Sequence, residues 1–168
     1  SDGEKRIYGP ANYYSIISGA AKGKIADSIM ENIKVLKTDM GYKLFTPGLG
    51  TKPIPKIGRI ASGDMPIGIW ENGNPYNHGS NGFLARVLSM LKDGENLYEV
   101  LQYMLPFDNE KHPIDLTLSA PYAVLNCYQQ VPNFYHRGGM PFLTGTIAME
   151  VRAVYQWMFV IKPVYEGL

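Results

Sequence analysis

The chain is short of the features that would place it in several large classes. It has one cysteine, Cys127, among 168 residues, which excludes an internal disulfide and fits a reducing, cytoplasmic setting. Its three histidines show neither HxH nor HExxH spacing, and no second cysteine stands ready to pair, so no metal site is expected. There is no GxSxG and no P-loop, which removes the commonest signatures of a serine hydrolase and of a nucleotide-binding protein. No apolar run is long enough to cross a bilayer, and the first residues, SDGEKR, are polar rather than leader-like. The net charge is +1 with acids and bases interspersed, so nothing speaks for nucleic acid or an anionic membrane.

What is present is an ordinary globular composition, 45% apolar, rich in tyrosine. Tyr13, Ile16, Ile17, Ala20 and Ala21 recur at helical spacing. A second helix is expected from about residue 25 to 40, with Ile29, Ile33, Leu36 and Met40 on one face. After an irregular stretch punctuated by proline and glycine, a third helix is expected over 80–92, carrying the stripe Phe83, Leu84, Val87, Leu88 and Leu91. A fourth follows over 95–105 and stops at Pro106. The two helical hairpins echo each other, each joined by a turn holding lysine and glycine (AAKGK, LKDGE), which suggests an α/α repeat. Tyr122–Tyr128 suits either a short strand or a helical turn, HRGGMP (136–141) is expected to be a loop, and a last helix runs from Thr144 to about Phe159.

Between the hairpins lies Trp70–Phe83, WENGNPYNHGSNGF, with an acid, an imidazole and four asparagines. It is too polar and glycine-rich to be expected as core packing, and it leads directly into a helix, a common setting for a binding site. His78 suits a donor to phosphate or a sugar hydroxyl, and equally a solvated residue near a helix start. Glu71 suits sugar hydroxyls or plain surface. Thr144-Gly145-Thr146 opens a helix whose first amides have no partners inside it; glycine there lets an oxyanion approach, and the same residues also make a simple threonine cap. His136-Arg137-Gly138-Gly139 suits an anion or a basic surface loop.

Glu71-Asn-Gly-x-x-Tyr-x-His78, then Ala120-Pro121-Tyr122, then Phe142-Leu143-Thr144-Gly145-Thr146 with its helix, together with the closing IKPVYEGL, resemble the C-terminal part of the catalytic domain of inverting β-glycoside phosphorylases. These are the cellobiose, cellodextrin, chitobiose and 1,2-β-oligoglucan phosphorylases of glycoside hydrolase family 94. The resemblance covers nearly the whole chain. It implies an all-α fold, part of an (α/α)6 barrel, with residues 1–168 forming its C-terminal portion. It implies reversible phosphorolysis of β-linked gluco-oligosaccharides to a sugar 1-phosphate, with inorganic phosphate as co-substrate and no cofactor. Carried over by motif, His78, Thr144 and Gly145 bind phosphate, while Trp70, Glu71 and Asn126 lie in the sugar site. Asn126 stands where disaccharide-acting members usually carry glutamine, and Trp70 where they often carry lysine.

The family's general-acid aspartate and its phosphate-binding arginine are expected upstream, so no catalytic residue is assigned here. About five expected helices are too few to close a twelve-helix barrel. The expectation is therefore a fragment, a split-protein chain or a truncated product that is inactive alone and seeks the rest of the barrel or a second copy, as in a homodimer. The alternative is a non-catalytic helical fragment that binds carbohydrate or protein.

Overall fold

A computed structural model describes residues 5–50, 64–105, 113–141, 144–161, 163–165 and 167. Both helical hairpins are present. Helix α1 (Gly9–Ile17) starts with Pro10 in its first turn, where the missing N–H costs nothing, and buries Tyr13 and Ile16. Helix α2 (Lys24–Asn32) tightens into a 3-10 turn, Ile33–Leu36, whose Ile33 and Leu36 are both buried. The single long helix expected over 25–40 is thus cut short. Its last residues form a small ribbon instead, β2 (Lys37–Thr38) against β3 (Gly41–Tyr42), with Gly41 at φ 97 closing the turn. The Gly41 position also faces the Asn81 carboxamide, and a Cβ there would stand 2.4 Å from its Nδ2.

Helix α3 (Gly82–Leu91) and helix α4 (Gly94–Met104) make the second hairpin. Lys92 takes the left-handed position between them, φ 59, and Asp93 caps α4 by accepting from the Asn96 N–H at 3.2 Å. Leu84, Val87 and Leu88 of α3 pack with Leu97, Leu101 and Met104 of α4 and with Tyr13, Ile33 and Leu36 of the first hairpin in one core. Trp157 closes that core from a π-helical extension, Ala153–Met158, which continues the last long helix, α6 (Thr144–Arg152).

The helices are joined by extended pieces too short to show a period. Strand β1 (Ile7–Tyr8) pairs with β4 (Phe45–Thr46). Past a short helix α5 (Ile114–Thr117), strand β5 (Leu125–Tyr128) pairs antiparallel with β6 (Gly138–Pro141), so Tyr122–Tyr128 resolves to a strand at its end, and the expected 136–141 loop is strand over Gly138–Pro141. Lone bridges link Lys43 to Pro75 and Tyr76 to Cys127, which lays the 70–81 stretch between the β3–β4 segment and β5. Among the described residues the fold is mainly helical, with three two-stranded ribbons. No described helix is long and apolar enough to cross a membrane.

Candidate functional site

The polar stretch is built in two layers. Its four asparagines, Asn72, Asn74, Asn77 and Asn81, are all fully buried. That overturns the expectation that so polar a segment stays out of the packed interior. The physical reason is hydrogen bonding: a buried carboxamide costs little once both its ends are satisfied. Asn72 accepts from the Leu49 N–H at 2.7 Å and donates to the Leu49 and Met65 carbonyls. Asn77 donates to the Leu125 carbonyl at 2.7 Å and accepts from Asn81 Nδ2 at 2.7 Å, while Asn81 Oδ1 accepts from the Tyr42 N–H. Asn74 is the exception: it donates to the Tyr128 carbonyl, but its buried Oδ1 has no hydrogen-bond partner. The asparagines therefore tie the stretch to segments on either side of it.

The second layer is what those ties hold out. Trp70, Glu71 and His78 are exposed. Trp70 and Glu71 sit in the left-handed region at φ 44 and 38. For residues of this size such a backbone costs on the order of 1–3 kcal/mol each and persists only where surroundings enforce it. Here the turn is closed by Gly68 N–H to the Asn72 carbonyl at 2.7 Å, and the Trp70 N–H is held by Gln129 Oε1 at 3.3 Å. Glu71 Oε1 accepts from Tyr76 OH at 2.7 Å. Burial, and then the Glu71 carboxylate, push the Tyr76 phenol well above its ordinary value, so it stays a donor.

His78 and Gly145 come together. A Cβ built at Gly145 would stand 3.3 Å from His78 Cε1 and 3.6 Å from both ring nitrogens. The imidazole therefore lies against the first turn of α6, which Thr144 opens, and a larger residue at 145 would press on it. Asn126 joins the two: its Oδ1 accepts from the His78 N–H at 3.3 Å and from the Thr146 hydroxyl. Asn126 is itself buried, and its Nδ2 donates to Met140 Sδ at 3.5 Å. An exposed imidazole beside the outward amides and positive dipole end of a nine-residue helix is suited to an oxyanion.

Sequence reasoning left several residues out. Met140 Sδ touches both Asn126 and Tyr76 OH (3.6 Å), linking the His78 end to the Glu71 end. Beyond Trp70 a cavity of about 360 Å³ is walled by Gln129, Phe134, Arg137 and Met140. Of the 136–139 loop, His136 turns to Asp39 at 2.8 Å and leaves Arg137 over the Phe134 ring. Glu150, two turns into α6, is buried with Oε1 unpartnered, and burial pushes its carboxyl up to about 8. Its place four residues after Thr146 was the available signal, since that spacing puts both on one face of α6. His112 lies outside the described residues. Among the described residues no group of three or more His, Cys, Asp or Glu could hold a metal ion.

Comparison with known proteins gives this mainly helical chain a family. The catalytic domain of the glycosyl hydrolase 94 superfamily matches residues 1–159, and the chain belongs to that family. It is similar to a solabiose phosphorylase of Paenibacillus borealis, with 31% identity over 169 residues; the match takes in 98% of this chain and 21% of that protein. The chain thus spans about a fifth of the length of the curated relative it matches.

Proposed function

We propose that this chain supplies the phosphate site and part of the sugar site of a glycoside phosphorylase. The reaction is reversible phosphorolysis of β-linked gluco-oligosaccharides, giving a sugar 1-phosphate with inversion. The observation that carries the reading is the seating of the His78 ring against the start of α6, fixed through Asn126. His78, the Thr144 end of α6 and the open face of Gly145 hold inorganic phosphate below the anomeric carbon. Phosphate takes the place that water has in an inverting glycosidase, and an aspartic acid from outside these residues protonates the leaving oxygen. The protein's part at the phosphate end is positioning and fixed positive potential. Glu71, oriented by Tyr76, accepts from acceptor-sugar hydroxyls, and Trp70 stacks on a sugar face. Asn126 positions His78 and Thr146.

The hairpins form part of an (α/α)6 barrel in this reading. The exposure of Ile25, Val35 and Tyr98 on the first four helical segments supports it, because further helices would cover them. The test is made on the full-length chain, measuring sugar 1-phosphate released from β-glucan oligosaccharides at varied phosphate. His78→Ala and Thr144→Val are each expected to lower kcat/KM for phosphate by roughly 10²–10³-fold, the usual cost of removing one preorganised donor. Unchanged phosphate dependence in both variants would show that phosphate binds elsewhere.

A further inference from the structure

The cavity beyond Trp70 has a chemistry of its own. Trp70 and Phe134, residues 40% and 45% accessible, stand on its walls. The Arg137 guanidinium lies 5.6 Å from the Phe134 ring centroid, and no acid among the described residues pairs with it. Gly138 and Gly139 form part of its floor. A Cβ at Gly139 would stand 2.9 Å from both Cys127 Sγ and Gln129 Nε2, and 3.4 Å from Trp70 Cζ3. Gln129 is nearly buried and spends its Oε1 on the Trp70 N–H, which leaves Nε2 as a donor on that floor. The backbone around it is strained: Trp70 and Met140, which line it, and Glu71, Asn133 and His136, each next in sequence to a lining residue, all have positive φ. Backbone strain of this kind gathers where a binding surface is held in shape by its surroundings.

Its place relative to the phosphate end is also fixed. Contacts run from His78 to Asn126, from Asn126 to Met140, from Met140 to Tyr76, and from Tyr76 to Glu71. Met140 and Trp70, the latter adjoining Glu71, both line the cavity. In an inverting displacement the nucleophile and leaving group sit on opposite faces of the donor sugar, so the acceptor chain extends away from phosphate. Resting on the phosphorylase reading above, we propose that this cavity is a further acceptor-side subsite. It takes a second, neutral hexopyranose ring beyond the one at Glu71, stacked on Phe134 or Trp70, with Arg137 and Gln129 Nε2 donating to its hydroxyls. Aromatic faces with a few placed donors in a cavity of this size suit a sugar ring.

The experiment uses the full-length chain in the synthetic direction, with α-D-glucose 1-phosphate as donor. Acceptors are glucose and the best of cellobiose, laminaribiose and sophorose. Phe134 and Arg137 are both exposed, so Phe134→Ala and Arg137→Ala keep the fold. The ratio of kcat/KM for disaccharide over glucose is expected to fall at least tenfold in each variant. A ratio within twofold of the parent value in both variants overturns the subsite. If the parent forms no product with any acceptor, the phosphorylase reading fails, and calorimetric titration with cellotriose then decides the cavity by itself. Binding weakened tenfold or more by Phe134→Ala upholds it; absent or unchanged binding overturns it.

Discussion

The helical hairpins and the asparagine-tied stretch both carry fully buried side chains, yet these are held by different physics. In the hairpins, Leu84, Val87, Leu97 and Leu101 meet through apolar contact, which has no preferred direction and depends on volume. In the 70–81 stretch, Asn72, Asn77 and Asn81 each bind particular backbone or carboxamide groups contributed by segments distant in sequence. Apolar packing tolerates small shifts. A hydrogen-bonded tie does not, because its energy falls steeply with angle and distance. Trp70, Glu71 and His78 hang on the second kind of support, and His78 is held against the start of α6 in the same way, through Asn126.

This contrast can be broken deliberately. The largest effect is expected from Asn77→Asp, a near-isosteric change that removes the donor to the Leu125 carbonyl and puts a carboxyl in a fully buried place. Urea unfolding should show a loss of about 4 kcal/mol. Leu84→Ala in the hairpin core should cost about 3 kcal/mol by the same measurement, while Leu84→Met should cost less than about 1.5 kcal/mol, since volume is nearly kept. Equal losses for Asn77→Asp and Leu84→Met would erase the distinction.

Glu150 sharpens the comparison from the other side, as a buried polar group without a full set of partners. Its carboxyl sits near 8 in the folded chain against an ordinary value of 4.5, so it is protonated when folded and ionised when unfolded between those limits. Unfolding then releases a proton, and stability contributed by the neutral group is lost as pH rises through that window. Glu150→Gln should therefore raise stability by about 2 kcal/mol at pH 8 and by much less at pH 5, read as midpoint shifts in denaturant. The smallest effect belongs to the exposed cap. Asp93→Ala should cost about 1 kcal/mol and leave the polar stretch untouched, as seen by thermal melting.

The hairpins were legible because an apolar stripe at helical spacing survives translation into packing, as Leu84, Val87 and Leu88 show. The start of α6 at Thr144 was legible from the glycine and threonine that mark its first turn, although the apolar residues Ile147, Val151 and Tyr155 at helical spacing along that helix and its extension are exposed. The ribbons were not legible, since a two-residue strand such as Lys37–Thr38 carries no period. Nor was the burial of the asparagines, because the groups that satisfy them lie far along the chain: Leu125, for instance, is 48 residues from Asn77. The cavity beyond Trp70 escaped for a related reason. Its walls come from a strained turn at 70–71 and from residues 129–141, which only the β5–β6 pairing and the Trp70–Gln129 bond bring together.

Cys127 lies on β5 between the Tyr76 bridge and Gly139, fully buried, with its thiol pushed up to about 12 by that burial. A thiol so placed is inert while the ribbon is closed, because only the thiolate reacts and no reagent reaches it. It acts as a tamper seal on the strand that carries Asn126. The rate at which a thiol reagent couples to Cys127 counts the openings of that strand, and so turns local breathing of the site into a chemical clock. A sugar bound against Trp70 and Met140 should slow that clock in proportion to how firmly it clamps the ribbon shut.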